Sequence, residues 1–156
     1  MYILKNALTN IKRNTVRNLV VGIVFQSFNL LPGLSAIENI ILAMNVSWVK
    51  DKDKKALAIK LLESVGLNEE NGDSRVLKLS GGEEQRVTIA RSISYDANGI
   101  IADESTGNLD KETKTDIMAI FKDLAKKGKC VIIVTHSNNV AKMADVVYEL
   151  KPVKQD

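Results

Sequence analysis

The chain has 156 residues, 45% hydrophobic and 26% charged, with a formal net charge of +3; such values belong to a soluble globular domain that buries roughly 70% of its unfolded surface. Its single cysteine, Cys130, excludes disulfide and zinc frameworks, and the neighbours Val131, Ile132, Ile133 and Val134 suit a buried, reduced thiol. The mild charge, with no Lys/Arg stripe interleaved with aromatics, argues against a nucleic-acid partner.

Residues 2–18 carry Ile3, Leu4, Ala7, Leu8 and Ile11 at helical spacing, with Lys5, Lys12, Arg13 and Arg17 on other faces, a pattern that predicts a basic amphipathic helix. Residues 19–25 are apolar and rich in β-branched types, so a short strand buried on both faces is expected. That run is far below the ~20 residues of a membrane-spanning helix. Gln26-Ser27-Phe28 behind it offers no small-residue cleavage site, so a cytoplasmic location is expected rather than a signal peptide.

Pro32-Gly33 breaks the chain, and Ser35 with Glu38 forms a capping box for a helix ending near Asn45. The charged residues 50–55 read as a solvated turn and helix start. Leu57, Ile59, Leu61, Leu62 and Val65 continue that helix, and Gly66 can end it. Ser80 and Glu83 make a second capping box, opening a helix through Val87, Ile89, Ala90 and Ile93. Residues 100–103 and 131–135 are strand-like, and between them Ile117, Ile120, Phe121 and Leu124 mark a helix ending at Gly128. Residues 145–150 close the pattern as a last strand. This alternation predicts an α/β fold with a parallel sheet.

Three groups carry candidate chemistry. Asp103 and Glu104 end an apolar strand, where parallel sheets place ligands and where one carboxylate can hold Mg²⁺ while another orients a water; taken alone they read equally as solvated loop acids. Ser80-Gly81-Gly82 opens a helix with unhindered amides, a hydroxyl and a positive helix end, all favourable to a phosphate. The same residues also fit a plain capping box. His136 follows a strand directly and can reach a phosphate or simply sit in a loop.

In this order and spacing, the chain resembles the ATPase subunits of ABC transporters from Gly22 to about Leu150. Leu79-Ser80-Gly81-Gly82-Glu83-Glu84-Gln85-Arg86 is similar to the family signature, with Glu83 in place of the commoner glutamine. Gly99 to Glu104 resembles the Walker B strand, although Ser105 stands where the family usually has proline. Gly107-Asn108-Leu109-Asp110 resembles the D-loop, Thr135-His136 the switch histidine, and Val24-Phe25-Gln26 the Q-loop. Gln26 to Ile40, with Phe28-Asn29-Leu30-Leu31-Pro32, is most similar to the branch serving lipoprotein release and macrolide or antimicrobial-peptide export.

The resemblance implies an incomplete P-loop NTPase fold, with a mostly parallel sheet and a helical signature subdomain at about 35–95 within a partial ATPase domain at 22–156. It implies ATP and Mg²⁺ as cofactors, with a head-to-tail ATPase partner and a membrane permease as partners. The location implied is peripheral, at the inner face of the cell membrane. Gln26 would contact Mg²⁺ and the attacking water, Asp103 would hold Mg²⁺, Glu104 would polarise the water and His136 would meet the γ-phosphate. Ser80, Gly81 and Gly82 would act on nucleotide held by the partner, with Asp110 communicating across the same interface.

The sequence departs from the family at one decisive place. The phosphate loop requires Gly-x-x-x-x-Gly-Lys-Ser/Thr between a strand and a helix. The sole Gly-Lys pair, Gly128-Lys129, has Asp123 where glycine belongs, Cys130 where the hydroxyl belongs, and precedes a strand. Losing four charge-assisted phosphate contacts at ~1.5 kcal/mol each removes roughly 6 kcal/mol, over four decades of affinity. The family places the loop's strand between the strands at 131–134 and 145–150, so two open ladder edges are expected there. Residues 1–21 resemble the start of a permease from the same systems. An assisting subunit that lends its signature half-site is therefore expected; the alternative is an inert or membrane-surface fragment of a rearranged transporter gene.

Overall fold

The computed structural model describes residues 2–4, 20–107 and 109–150. Its centre is a parallel sheet of β2 (Val21–Phe25), β3 (Gly99–Asp103) and β4 (Cys130–Val134), in the order β2-β3-β4. The three strands are in register, from Val21 opposite Gly99 and Cys130 to Phe25 opposite Asp103 and Val134, so all three finish at one level. The α/β class read from the alternating pattern is the one observed.

The strand expected to be buried on both faces is an edge. Among the described strands β2 pairs with β3 alone, and its residues alternate: Val24 is fully buried while Ile23 and Phe25 are 44% and 39% exposed. An edge strand has one ladder neighbour and one open flank, which leaves the outward side chains uncovered.

Helices follow the caps. Ser35 opens α1 (Ala36–Val46), its Oγ accepting the Glu38 N–H (3.2 Å) while Glu38 Oε2 accepts the Ser35 N–H (2.7 Å). Asp53 caps α2 (Lys54–Ser64) by accepting the Ala56 N–H, and Gly66 ends it at φ +81°, a conformation glycine adopts without penalty. The short α3 (Glu69–Asp73) and a 3₁₀ turn at Val76–Lys78 have too few residues to show a period in the sequence. Then come α4 (Gly81–Ile93), α5 (Lys111–Lys126) and the one-turn α6 (Asn138–Ala141).

Helices α1, α2 and α4 pack on one another and α4 also lies on β2. The approach is close: a Cβ on Gly22 would stand 2.3 Å from Ser92 O. Arg86 ties three elements together, donating to Val65 O just past α2 (2.8 Å) and to Asp116 in α5 (3.0 Å). A single core runs through these contacts, with Val24, Ile40, Met44, Ile89, Ile100 and Phe121 all at or near zero exposure. Cys130 is buried at the start of β4, as expected.

Residues 2–18 do not begin as a helix. Tyr2–Leu4 form β1, antiparallel to β5 (Val147–Glu149), with Tyr2 opposite Glu149 and Leu4 opposite Val147. Residues 5–18 of the expected helix lie outside the described residues. A Tyr-Ile-Leu run favours extended backbone, and the ladder with β5 supplies hydrogen-bond partners that a lone first helical turn lacks. β1 neighbours β4 as well as β5. The open ladder edge expected on the last strand is therefore paired, by a strand of the same chain.

Candidate functional site

Because β2, β3 and β4 stop in register, the residues that follow them gather at the carboxyl edge of the sheet. Glu104 follows β3 with φ at +44°, in the left-handed region that a glutamate occupies only under constraint. Its N–H donates to Val134 O (2.9 Å), and its Oε1 accepts the backbone N–H of His136 (2.7 Å). The His136 ring is exposed, with Nε2 at 3.8 Å from the same carboxylate oxygen. Gln26 reaches this loop from β2: a Cβ on Gly107 would lie 3.1 Å from Gln26 Nε2 and 3.3 Å from Glu104 O. Gly107 thus permits the amide of Gln26 to lie on the Glu104 loop. Asp103, exposed at the last position of β3, stands beside them. Ser105, Thr106 and Thr135 are buried beneath.

A second group forms at the N-terminus of α4. Ser80 caps the helix; its Oγ donates to Glu83 Oε2 (2.7 Å) and accepts the Glu83 N–H (3.4 Å), and its N–H donates to Glu83 Oε2 (2.8 Å). Hydrogen bonds from the Ser80 backbone and hydroxyl hold the Glu83 carboxyl below its ordinary pKa. The start of α5 lies alongside, since a Cβ on Gly82 would come within 2.8 Å of Thr113 Cγ2 and one on Gly81 within 3.7 Å of Leu109 Cδ2. Asp110 caps α5, accepting the N–H groups of Glu112 (3.0 Å) and Thr113 (2.9 Å) and the Thr113 hydroxyl. The Thr113 hydroxyl leads the causes that lower the Asp110 pKa. Asn108 lies outside the described residues.

The structure therefore brings Gln26, Glu104 and His136 together, with Asp103 alongside, and separately sets Gly81 and Gly82 against Leu109 and Thr113, which flank Asp110. Gly128-Lys129 forms the turn between α5 and β4, and Lys129 Nζ donates to Ala97 O (2.7 Å). Among the described residues no set of three or more His, Cys, Asp or Glu side chains is grouped to hold a metal. Asp103 and Gln26 as oxygen donors fit a Mg²⁺ ion that completes its shell with phosphate oxygens and water.

Residues 2–107 match the protein family described as "ABC transporter". The chain belongs to that family. It is 45% identical over 141 residues to "Uncharacterized ABC transporter ATP-binding protein YclH" of Bacillus subtilis, an alignment covering 90% of this chain and 62% of the relative. It is also 45% identical over 136 residues to the "Macrolide export ATP-binding/permease protein MacB" of Chlorobaculum tepidum, covering 87% of this chain and 21% of that protein. The chain thus spans less than two thirds of the length of these relatives.

Among solved structures, the dimeric MJ0796 cassette superposes with a TM-score of 0.71 at 32% identity, covering 90% of this chain and 67% of that one. A second MJ0796 structure, described as a post-hydrolysis state bound to ADP and Pi, gives a TM-score of 0.72 at 30% identity, covering 92% of this chain and 70% of that one.

Sequence reading missed the side chains that hold these groups in place. Asn39 is 2% exposed; its signal was a polar residue set in the apolar pattern of Ile37, Ile40 and Met44. Arg91, Thr88 and Thr113 left no such signal, because each reads as an ordinary polar helix residue.

Proposed function

We propose that these residues act in an ABC transporter by lending the N-terminus of α4 to ATP gripped by a second subunit. The observation that carries it is the capped Ser80-Gly81-Gly82 start of α4, with the Asp110 cap of α5 alongside. Glycines at 81 and 82 leave the helix amides unscreened, and the positive end of a 13-residue helix favours the terminal phosphates. Asp110, beside it at the α5 cap, serves the same subunit interface.

The strand-tip group belongs to nucleotide on its own chain. There Asp103 and Gln26 would hold Mg²⁺, which supplies charge neutralisation to a transferring phosphoryl group. Glu104, with Oε1 engaged by His136 N–H, would have Oε2 left to polarise an attacking water, and the exposed His136 ring would meet the γ-phosphate. These 156 residues contain no Gly-x-x-x-x-Gly-Lys-Ser/Thr, so only weak ATP binding is expected of them by themselves. The permease partner lies on the open groove of about 430 Å³ lined by Phe25, Leu31, Leu42 and Val46, next to the turn that follows Gln26. Its apolar character and the joined ATP-binding and permease functions in the MacB name support that partner. Among the described residues no helix is long and apolar enough to cross a membrane, and this reading puts the chain against the inner membrane face through the permease.

The test is reconstitution with an intact ATPase subunit. Ser80→Arg places a bulky cation at the helix end and is expected to abolish stimulation of the partner's ATP hydrolysis, while Glu104→Gln is expected to preserve it. The opposite pattern would refute the assisting role.

A further inference from the structure

The turn that carries Gln26 is strapped down from two helices. Phe28 and Asn29 hold φ at +56° and +52°, left-handed conformations that need support from their surroundings. On one side, in the second half of α4, Arg91 Nη2 donates to Phe28 O (2.9 Å), Arg91 Nη1 donates to Asn29 O, and Thr88 Oγ1 lies within hydrogen-bond reach of Phe28 O (3.3 Å). On the other side, buried Asn39 of α1 accepts the Leu31 N–H (2.8 Å) and donates to Leu31 O (3.2 Å) and Ser35 O (2.9 Å). The Phe28 ring extends to the first turn of α4, where a Cβ on Gly81 would lie 3.9 Å from Phe28 Cζ. Burial lowers the pKa of Arg91; a partly desolvated guanidinium keeps its carbonyl partners rather than trading them for water.

We infer that Arg91 and Asn39 are positioning residues for Gln26. By fixing the carbonyls of Phe28, Asn29 and Leu31 they set where the Gln26 amide rests on the loop at 104–107, and they fasten that contact to the helix that begins at Ser80. The planar two-pronged guanidinium is what grips two successive carbonyls; a lysine offers one compact ammonium and cannot hold both in the same way. The inference concerns contacts inside the chain and stands apart from whose nucleotide the site serves.

Hydrogen–deuterium exchange of the 156-residue chain tests it, with the Leu31 amide reporting on the turn and the Gly107 amide, which donates to Glu104 O (2.8 Å), reporting on the loop. In Arg91→Lys both amides are expected to exchange roughly tenfold faster, while the ladder amides of β3 and β4 keep their protection. Asn39→Asp, which retains the acceptor for Leu31 N–H but loses both donations, is expected to give a smaller rise at the same two places, and it decides the matter if Arg91→Lys does not fold. A rise spread evenly over the chain, a rise at Leu31 with none at Gly107, or no rise at all overturns the inference.

Discussion

Glu104 at φ +44° shows what single residues contribute here: a strained backbone, held by Val134 O on one side and the His136 N–H on the other, fixes a carboxylate at the strand tips. Gly22 makes the complementary point about space. Its missing side chain lets β2 rest on the backbone of α4, with Ser92 O only 2.3 Å from where a Cβ would be. Backbone cannot swing aside as a flexible side chain does, so Gly22→Ala is expected to cost about 3 kcal/mol. Urea unfolding reads this as a lower midpoint; an unchanged midpoint would mean the strand and helix do not meet as described. Glu104 was visible in the sequence from its place behind an apolar run. The demand on Gly22 was not, because it comes from a helix residue 70 positions away.

At the scale of elements, capping chemistry decided where helices begin. The Ser35 and Ser80 boxes were readable because each links residues three apart, and the observed first turns match them. The α4 box carries a pH dependence. The Glu83 carboxyl has a lower pKa folded than the ordinary 4.5, so the charged form favours the folded state. That contribution is complete above about pH 4.5 and disappears as pH falls through the folded value. Glu83→Gln is expected to lose about 0.5–1 kcal/mol at pH 7 and to show a smaller drop in stability between pH 5 and pH 3 than the wild type. Chemical denaturation at three pH values checks this, and equal acid sensitivity in both proteins would remove Glu83 from the account. The first element ran the other way: apolar spacing at Ile3, Leu4 and Ala7 suggested a helix, yet Tyr2–Leu4 pair as a strand.

For the whole molecule, the sheet is organised around β3, flanked by β2 and β4, while β1 and β5 form a separate antiparallel pair beside β4. The two ladders share no hydrogen-bonded strand, so they are expected to respond independently. Deleting residues 1–4 should raise amide exchange at Val147–Glu149 and leave the β3–β4 ladder protected. Loss of protection throughout would show instead that β1 supports the entire sheet.

Sequence alone determined the order of motifs, the Ser35 and Ser80 helix caps, the central strands, and the places of Ser80-Gly81-Gly82 at a helix start and Asp103-Glu104 at a strand end. Each of these depends on residues a few positions apart, where hydrogen-bond reach and side-chain periodicity act within one segment. Tertiary structure decided the open flank of β2, the pairing of β1 with β5, and the grip of Arg91 on carbonyls 62 and 63 residues away. Those outcomes depend on which backbone groups meet across the fold, and a linear pattern of side chains carries no record of that distance.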